Sequence, residues 1–110
     1  MRSTFMDIDG NIRCISGDPF DLHLIIDDEG TPIDFDGWSI HLRAFNPKGN
    51  TTIVEFNEDD VDTSILGVLI FKKPAADSEF PIGTFNYDWK MGEPGKEPVT
   101  VLNNKLFIVE

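Results

Sequence analysis

Several short stretches of the chain alternate between apolar and polar residues. The clearest is residues 85–91, where Phe85, Tyr87, Trp89 and Met91 occupy every second position and polar residues lie between them. The same period of two runs through residues 20–26 and 38–44. Successive side chains of a β-strand point to opposite faces, so this pattern predicts strands with one buried face.

Residues typical of turns separate these stretches at regular intervals. Gly, Pro, Asn and Asp cluster at positions 9–11, 16–19, 29–32, 36–37, 46–50 and 92–95. Between them, further strands are predicted at residues 5–8, 12–15, 51–56 and 67–72, with a last one within 99–109. The centre of that last segment, Leu102-Asn103-Asn104-Lys105, is typical of a turn or bulge, so residues 99–102 and 105–109 are a candidate hairpin.

These elements predict an all-β domain. No window of eleven residues keeps a helical period, and at most one helical turn is expected near residues 59–65 or 74–78. Seven or eight short strands at even spacing indicate an antiparallel β-sandwich of Greek-key or jelly-roll type. The predicted core consists of Leu22, Leu24, Trp38, Ile40, Leu42, Ile70, Phe85, Tyr87, Trp89 and Ile108.

Length and charge narrow the class of protein. A chain of 110 residues has the usual size of one domain, so residues 1–110 are interpreted as a single unit. Twenty acidic against nine basic residues give a net charge of −11, which disfavours binding to nucleic-acid phosphates or anionic membranes. The charge either keeps the domain soluble or forms an acidic patch for a basic partner or a cation.

The N-terminal sequence MRSTFMDIDGN lacks the apolar segment of a signal peptide, and no later stretch approaches a membrane span. We therefore expect a protein that stays in a bacterial cytoplasm or in a larger assembly. Cys14 is the single cysteine, and a buried hydrophobic role is predicted for it rather than a reactive or intermolecular thiol.

Acidic residues provide the candidate metal sites. Asp7, Asp9 and Gly10 echo part of a calcium loop, but Phe5 and Ser16 occupy two of its ligand positions, so a β-turn is predicted instead. The clusters 27–29 and 58–60, with Asp62 nearby, could hold a hard cation or supply paired carboxylates for glycoside hydrolysis. We expect that these loops bind no metal and that the domain has no sugar-sized cleft.

The two histidines are predicted on the polar faces of adjacent strands. His23 and His41 would need a third ligand, such as Asp21, to bind a metal, and a solvated strand face is the simpler interpretation. No Ser or Cys has a spaced His–Asp set, and no glycine-rich phosphate loop leads into a helix. The prediction is a non-enzyme with no catalytic, cofactor-binding or metal-binding residues.

Three sets of residues together resemble a known family. The first set is Ile15-Ser16-Gly17-Asp18 together with residues 27–38, which contain Gly-Thr-Pro and Phe-Asp-Gly-Trp. The second set is Arg43 to Gly49. The third set is Gly83 to Asp88 together with the later Leu106-Phe107-Ile108-Val109. The chain resembles the N-terminal domain of bacteriophage baseplate upper proteins and related small β-sandwich proteins of tailed-phage particles. That resemblance implies a structural role in a virion and transfers no catalytic residue.

Two functions follow as hypotheses. The first is a non-catalytic assembly module of a phage or prophage tail or baseplate, located in the virion or in the cytoplasm during assembly, which binds other virion subunits and in one version also itself. The second is a carbohydrate-binding module that stacks sugar rings on Trp38, Tyr87 and Trp89. The alternation places these aromatics on apolar strand faces, which favours core packing and hence the first hypothesis.

Overall fold

A computed structural model of the protein describes residues 4–110, and these form an all-β domain. The strands are β1 (Phe5–Met6), β2 (Ile12–Ile15), β3 (Phe20–Ile25), β4 (Asp27–Asp28), β5 (Thr31–Pro32), β6 (Ser39–Phe45), β7 (Thr52–Phe56), β8 (Val61–Asp62), β9 (Val68–Lys73), β10 (Gly83–Gly92) and β11 (Val99–Val109). Two short 3₁₀ helices fall where a single helical turn was predicted. Ala75–Asp77 lies within residues 74–78, and Glu58–Asp60 begins one residue before the predicted segment 59–65.

The strands form two packed sheets and a small hairpin. The large sheet has the order β1-β2-β11-β10-β6-β7, the small sheet has the order β3-β9-β8, and β4 pairs with β5. Phe71 of the small sheet meets Trp89 of the large sheet edge to face, with ring centroids 5.8 Å apart. The predicted β-sandwich is therefore confirmed, and its strand pairs are antiparallel except for β2 with β11, which run parallel.

The predicted hairpin within residues 99–109 is wrong. β11 is one continuous strand, and Asn103 and Asn104 pair with Asp88 and Tyr87 of β10. The long ladder with β10 outweighs the local turn preference of the two asparagines. A register shift does occur nearby, because Trp89 pairs with Leu102 while Lys90 pairs with Thr100, which leaves Val101 as the extra residue of a β-bulge.

The core lies between the two sheets, and most of its predicted members are buried. Leu22, Ile40, Leu42, Phe85, Tyr87, Trp89 and Ile108 are all at most 7% exposed. Leu24 and Trp38 are half-buried and pack against this core.

Ile70 is a correction to the predicted core. Its neighbours Leu69 and Phe71 are fully buried, so β9 turns Ile70 to the outer face of the small sheet. The run from Val68 to Phe71 is apolar at every position, and periodicity cannot select the inward face of such a run.

Candidate interaction surfaces

The segment that echoes a calcium loop is a β-turn, as predicted. The Asp7 carboxylate accepts hydrogen bonds from the backbone N–H groups of Asp9 and Asn11, both at 2.9 Å. The bond from the Asn11 N–H is the main reason that the pKa of Asp7 is lowered. Because the carboxylate is occupied by its own turn, it stabilises the β1–β2 connection.

The first acidic cluster, Asp27 to Glu29, forms an exposed hairpin beyond the end of β3. Asp27 and Asp28 are in β4, and the turn residues Glu29 and Gly30 have φ values of 51° and 86°. Positive φ at both central positions is typical of a type I′ turn, and Gly30 adopts it without steric cost. The cluster therefore projects its carboxylates into solvent at one end of the small sheet.

The second acidic cluster is the 3₁₀ helix Glu58–Asp60, and the Asp60 carboxylate caps it. The side chain of Asn57 accepts a hydrogen bond from the Asp59 N–H at 2.9 Å, while Asp60 accepts one from the Asn57 N–H at 3.1 Å. These reciprocal bonds are a capping box. Asp60 also lies 3.6 Å from the Lys73 ammonium.

Asp62 belongs to a different acidic group from the one the sequence suggested. It lines an open cleft of about 550 Å³ with Asp34 and Asp36, which no sequence pattern had joined to it. Hydrogen bonds from the side chain and backbone of Ser64 lower the pKa of Asp62, and Lys72 at 3.7 Å acts in the same direction. Across residues 4–110, no three His, Cys, Asp or Glu side chains are grouped so that they could hold a metal ion.

The two histidines lie on outer strand faces but are not neighbours, so the predicted adjacency is wrong. His23 is in β3 of the small sheet and His41 is in β6 of the large sheet, because the chain crosses between sheets after β3. Each histidine has its own carboxylate partner. His23 Nε2 is 2.7 Å from Asp21, and His41 Nε2 is 2.7 Å from Glu55.

The three aromatics of the sugar-binding hypothesis do not form a surface platform. Tyr87 and Trp89 are buried, at 0% and 4% exposure. Trp38 is half-buried and packs edge to face on Phe35, with centroids 5.0 Å apart. Their aromatic faces stabilise the core instead.

Cys14 is a buried hydrophobic residue, as predicted. It is 2% exposed, and desolvation raises the pKa of its thiol to about 11. A thiol held protonated in this way is a poor nucleophile at neutral pH.

Within residues 4–110, no helix is long and apolar enough to cross a membrane.

The outer face of the large sheet carries basic and aromatic side chains. We call it the cationic face, and it comprises Arg13, Arg43, Lys90, Lys105, His41, Phe5, Phe45 and Phe107, with Asp88 and Glu55 as its carboxylates. Four cations against two carboxylates give this face a net charge of +2 on a chain of −11.

Stacking and hydrogen bonding hold several of these cations in place. The Arg13 guanidinium lies 5.1 Å from the Phe107 ring centre, and the Arg43 guanidinium lies 4.7 Å from that of Phe45. Lys105 donates a hydrogen bond of 2.7 Å to the side chain of Asn86. The side chains of Arg13, Arg43 and Lys105 are therefore held in defined positions on the cationic face.

The outer face of the small sheet has the opposite character. Ile25 pairs with Val68, and His23 pairs with Ile70, so all four side chains share this face. We call these four residues the apolar face. Ile25 is 84% exposed. Asp21, Asp62 and the Asp27 to Glu29 hairpin border it, with Lys72 as the cation among them.

These two faces are hard to predict from the order of residues along the chain. Single basic residues are spaced widely along the chain, and only the strand order brings Arg13, Lys105, Lys90 and Arg43 onto one sheet surface.

A comparison with models of known protein families and a search of curated proteins each find no match to this chain.

Proposed function

We propose that this domain is a non-catalytic structural module of a bacteriophage or prophage tail or baseplate that binds other virion subunits. The observation that carries the proposal is the resemblance of residues 15–109 to the N-terminal domain of phage baseplate upper proteins. Its turn motifs fall at real chain reversals, since Gly17, Gly37 and Gly49 all have φ between 80° and 89°.

The surface of the domain supports a binding role over a catalytic one. Its two sheets present broad outer faces of different chemistry, and the connecting loops are short. The single cysteine, Cys14, is buried and its thiol stays protonated at neutral pH, so it is a poor nucleophile. Flat faces and sheet edges of this kind suit contacts with neighbouring subunits.

The rival hypothesis of carbohydrate binding loses its main support. Two of its three aromatics lie in the core, and the third packs on Phe35. The aromatic side chains that remain for sugar stacking are Trp38, which lines a cleft with Phe35 and Asp36, and the three phenylalanines of the cationic face, which are stacked with or placed beside arginines.

The test starts from the genes that flank the coding sequence. Tail, tape-measure and lysis genes are expected there, and the products of the adjacent structural genes can be co-expressed with this chain. Size-exclusion chromatography with light scattering should then show a complex of fixed stoichiometry with at least one of them. Neighbouring glycoside hydrolase genes, together with binding on a glycan array, would defeat the proposal.

A further inference from the structure

The apolar face has the composition of a covered surface. In a sheet with one solvated face, the outer positions are normally polar. Here the outer positions of β3 and β9 include Ile25, Val68 and Ile70. Exposed apolar patches of this kind, rimmed by charged residues, mark sites of protein association.

The chain itself carries the surface that complements this one. The apolar face is bordered by Asp21, Asp62 and the acidic hairpin, whereas the cationic face presents Arg13, Arg43, Lys90 and Lys105 around three phenylalanines. Each face thus combines apolar groups with an excess of charge, positive on the cationic face and negative around the apolar face, where Lys72 is outnumbered by the carboxylates. Such complementarity orients two surfaces and suppresses wrong pairings.

We propose that copies of this chain associate head to tail, with the cationic face of one copy against the apolar face and acidic hairpin of the next. Contact between two apolar faces would bring two acidic rims together, and contact between two cationic faces would oppose like charges. The head-to-tail arrangement avoids both.

The dimensions of the molecule allow an interface of sufficient size. The domain measures 37 × 32 × 26 Å, so even its smallest side, 32 × 26 Å, has a projected area of about 830 Å². A standard interface buries roughly 800 Å² on each partner. Because the two faces are on the outsides of opposite sheets, the contact is heterologous and continues into a ring or a filament instead of closing as a two-fold dimer.

This inference deepens the proposed assembly role and names a second copy as one partner, but its test needs only the purified chain. If the purified chain is monomeric, the proposed self-association is wrong, but the assignment to a phage tail or baseplate is unaffected. Absence of neighbouring tail genes would remove the tail assignment and leave the association standing.

The experiment uses two variants, one for each face. Lys90→Glu/Lys105→Glu reverses charge on the cationic face, and Ile25→Lys places a charge on the apolar face. Lys48→Glu/Lys96→Glu and Ile8→Lys make the same changes at exposed positions in loops, outside the strands that form the two faces. Circular dichroism confirms that each variant folds, and light scattering gives its mass over a range of concentrations.

The wild type and both controls should exceed the monomer mass of 12.4 kDa as concentration rises, and each face variant alone should remain at that mass. Mixing the two face variants should restore a species of twice the monomer mass and nothing larger, because one intact cationic face can meet one intact apolar face. A wild type that stays monomeric overturns the proposal. So does association that survives Lys90→Glu/Lys105→Glu, since it would mean two apolar faces or two strand edges in contact.

Discussion

Tyr87 donates a hydrogen bond from its phenolic hydroxyl to the backbone carbonyl of Gly10, which is 77 positions away in the sequence. Beside it, the side chain of Asn104 donates to the carbonyl of Asp9 at 2.7 Å. These two bonds attach the turn between β1 and β2 to the central strands β10 and β11. Because the Tyr87 side chain is fully buried, its hydroxyl has no competing contact with water.

Replacing Tyr87 by Phe should destabilise the domain by about 1–3 kcal/mol, because the carbonyl of Gly10 then loses its partner in a buried place. Urea unfolding monitored by circular dichroism gives the free energy of unfolding. Thr84→Val removes a hydroxyl from an exposed position on the same strand and should change stability by no more than about 0.5 kcal/mol. Equal effects of the two variants would contradict a structural role for the Tyr87 hydroxyl.

Tyr87 is also the single tyrosine of the chain, so its ionisation can be followed directly. Burial, helped by the nearby Asp7 carboxylate, raises its pKa from 10.0 to about 12. The unfolded state therefore loses the proton first, and the contribution of Tyr87 to stability is complete below pH 10 and is lost as pH rises toward 12.

Tyrosinate absorbance should accordingly develop near pH 12 in the folded protein and near pH 10 in concentrated urea. The Tyr87→Phe variant supplies the blank for both titrations. A midpoint near 10 under native conditions would show that the hydroxyl is accessible to water.

Trp89→Ala should cost about 3–5 kcal/mol, the usual range for a large aromatic removed from a core. The ring is 4% exposed and packs edge to face on Phe71 across the sandwich. Trp38→Ala is the matched control, and its cost should be smaller because Trp38 is only half-buried. Chemical denaturation of both variants makes the comparison, and the reverse order would revive a surface role for Trp89.

Calcium should leave the stability of the domain unchanged. The carboxylates of Asp7 and Asp60 are engaged by backbone N–H groups, and that of Asp62 by Ser64. Binding of calcium to the folded state at a hundredfold excess over Kd would add about 2.7 kcal/mol. Thermal unfolding with calcium and with chelator measures the difference, and a rise of several degrees in Tm would show that the folded domain binds calcium.

The fold could be predicted from local patterns because each long strand has one inward face. Within residues 85–91, the four alternating apolar positions are the buried positions of β10. Prediction failed where the pattern was ambiguous. The apolar run at β9 misplaced Ile70, and the two asparagines of β11 suggested a turn where pairing with β10 continues the strand.

The candidate surfaces could not be predicted because they depend on strand order. Arg13 and Phe107 are far apart in the sequence and meet only because β2 runs parallel to β11. Likewise, Asp34 and Asp62 share a cleft across connections that no periodicity describes. By contrast, the turn at Asp7 followed from local residues and was predicted correctly.

Quantitative mass spectrometry of phage particles from an induced lysogen that carries the gene for this chain tests the proposed function most directly. Particles are banded in a density gradient, and the amount of this chain is compared, fraction by fraction, with that of the major tail proteins. A tail or baseplate module should follow the particles at a constant ratio to those proteins and remain with them after a salt wash. Recovery of the chain only in the free-protein fractions, with none in the particle band, would contradict the assignment.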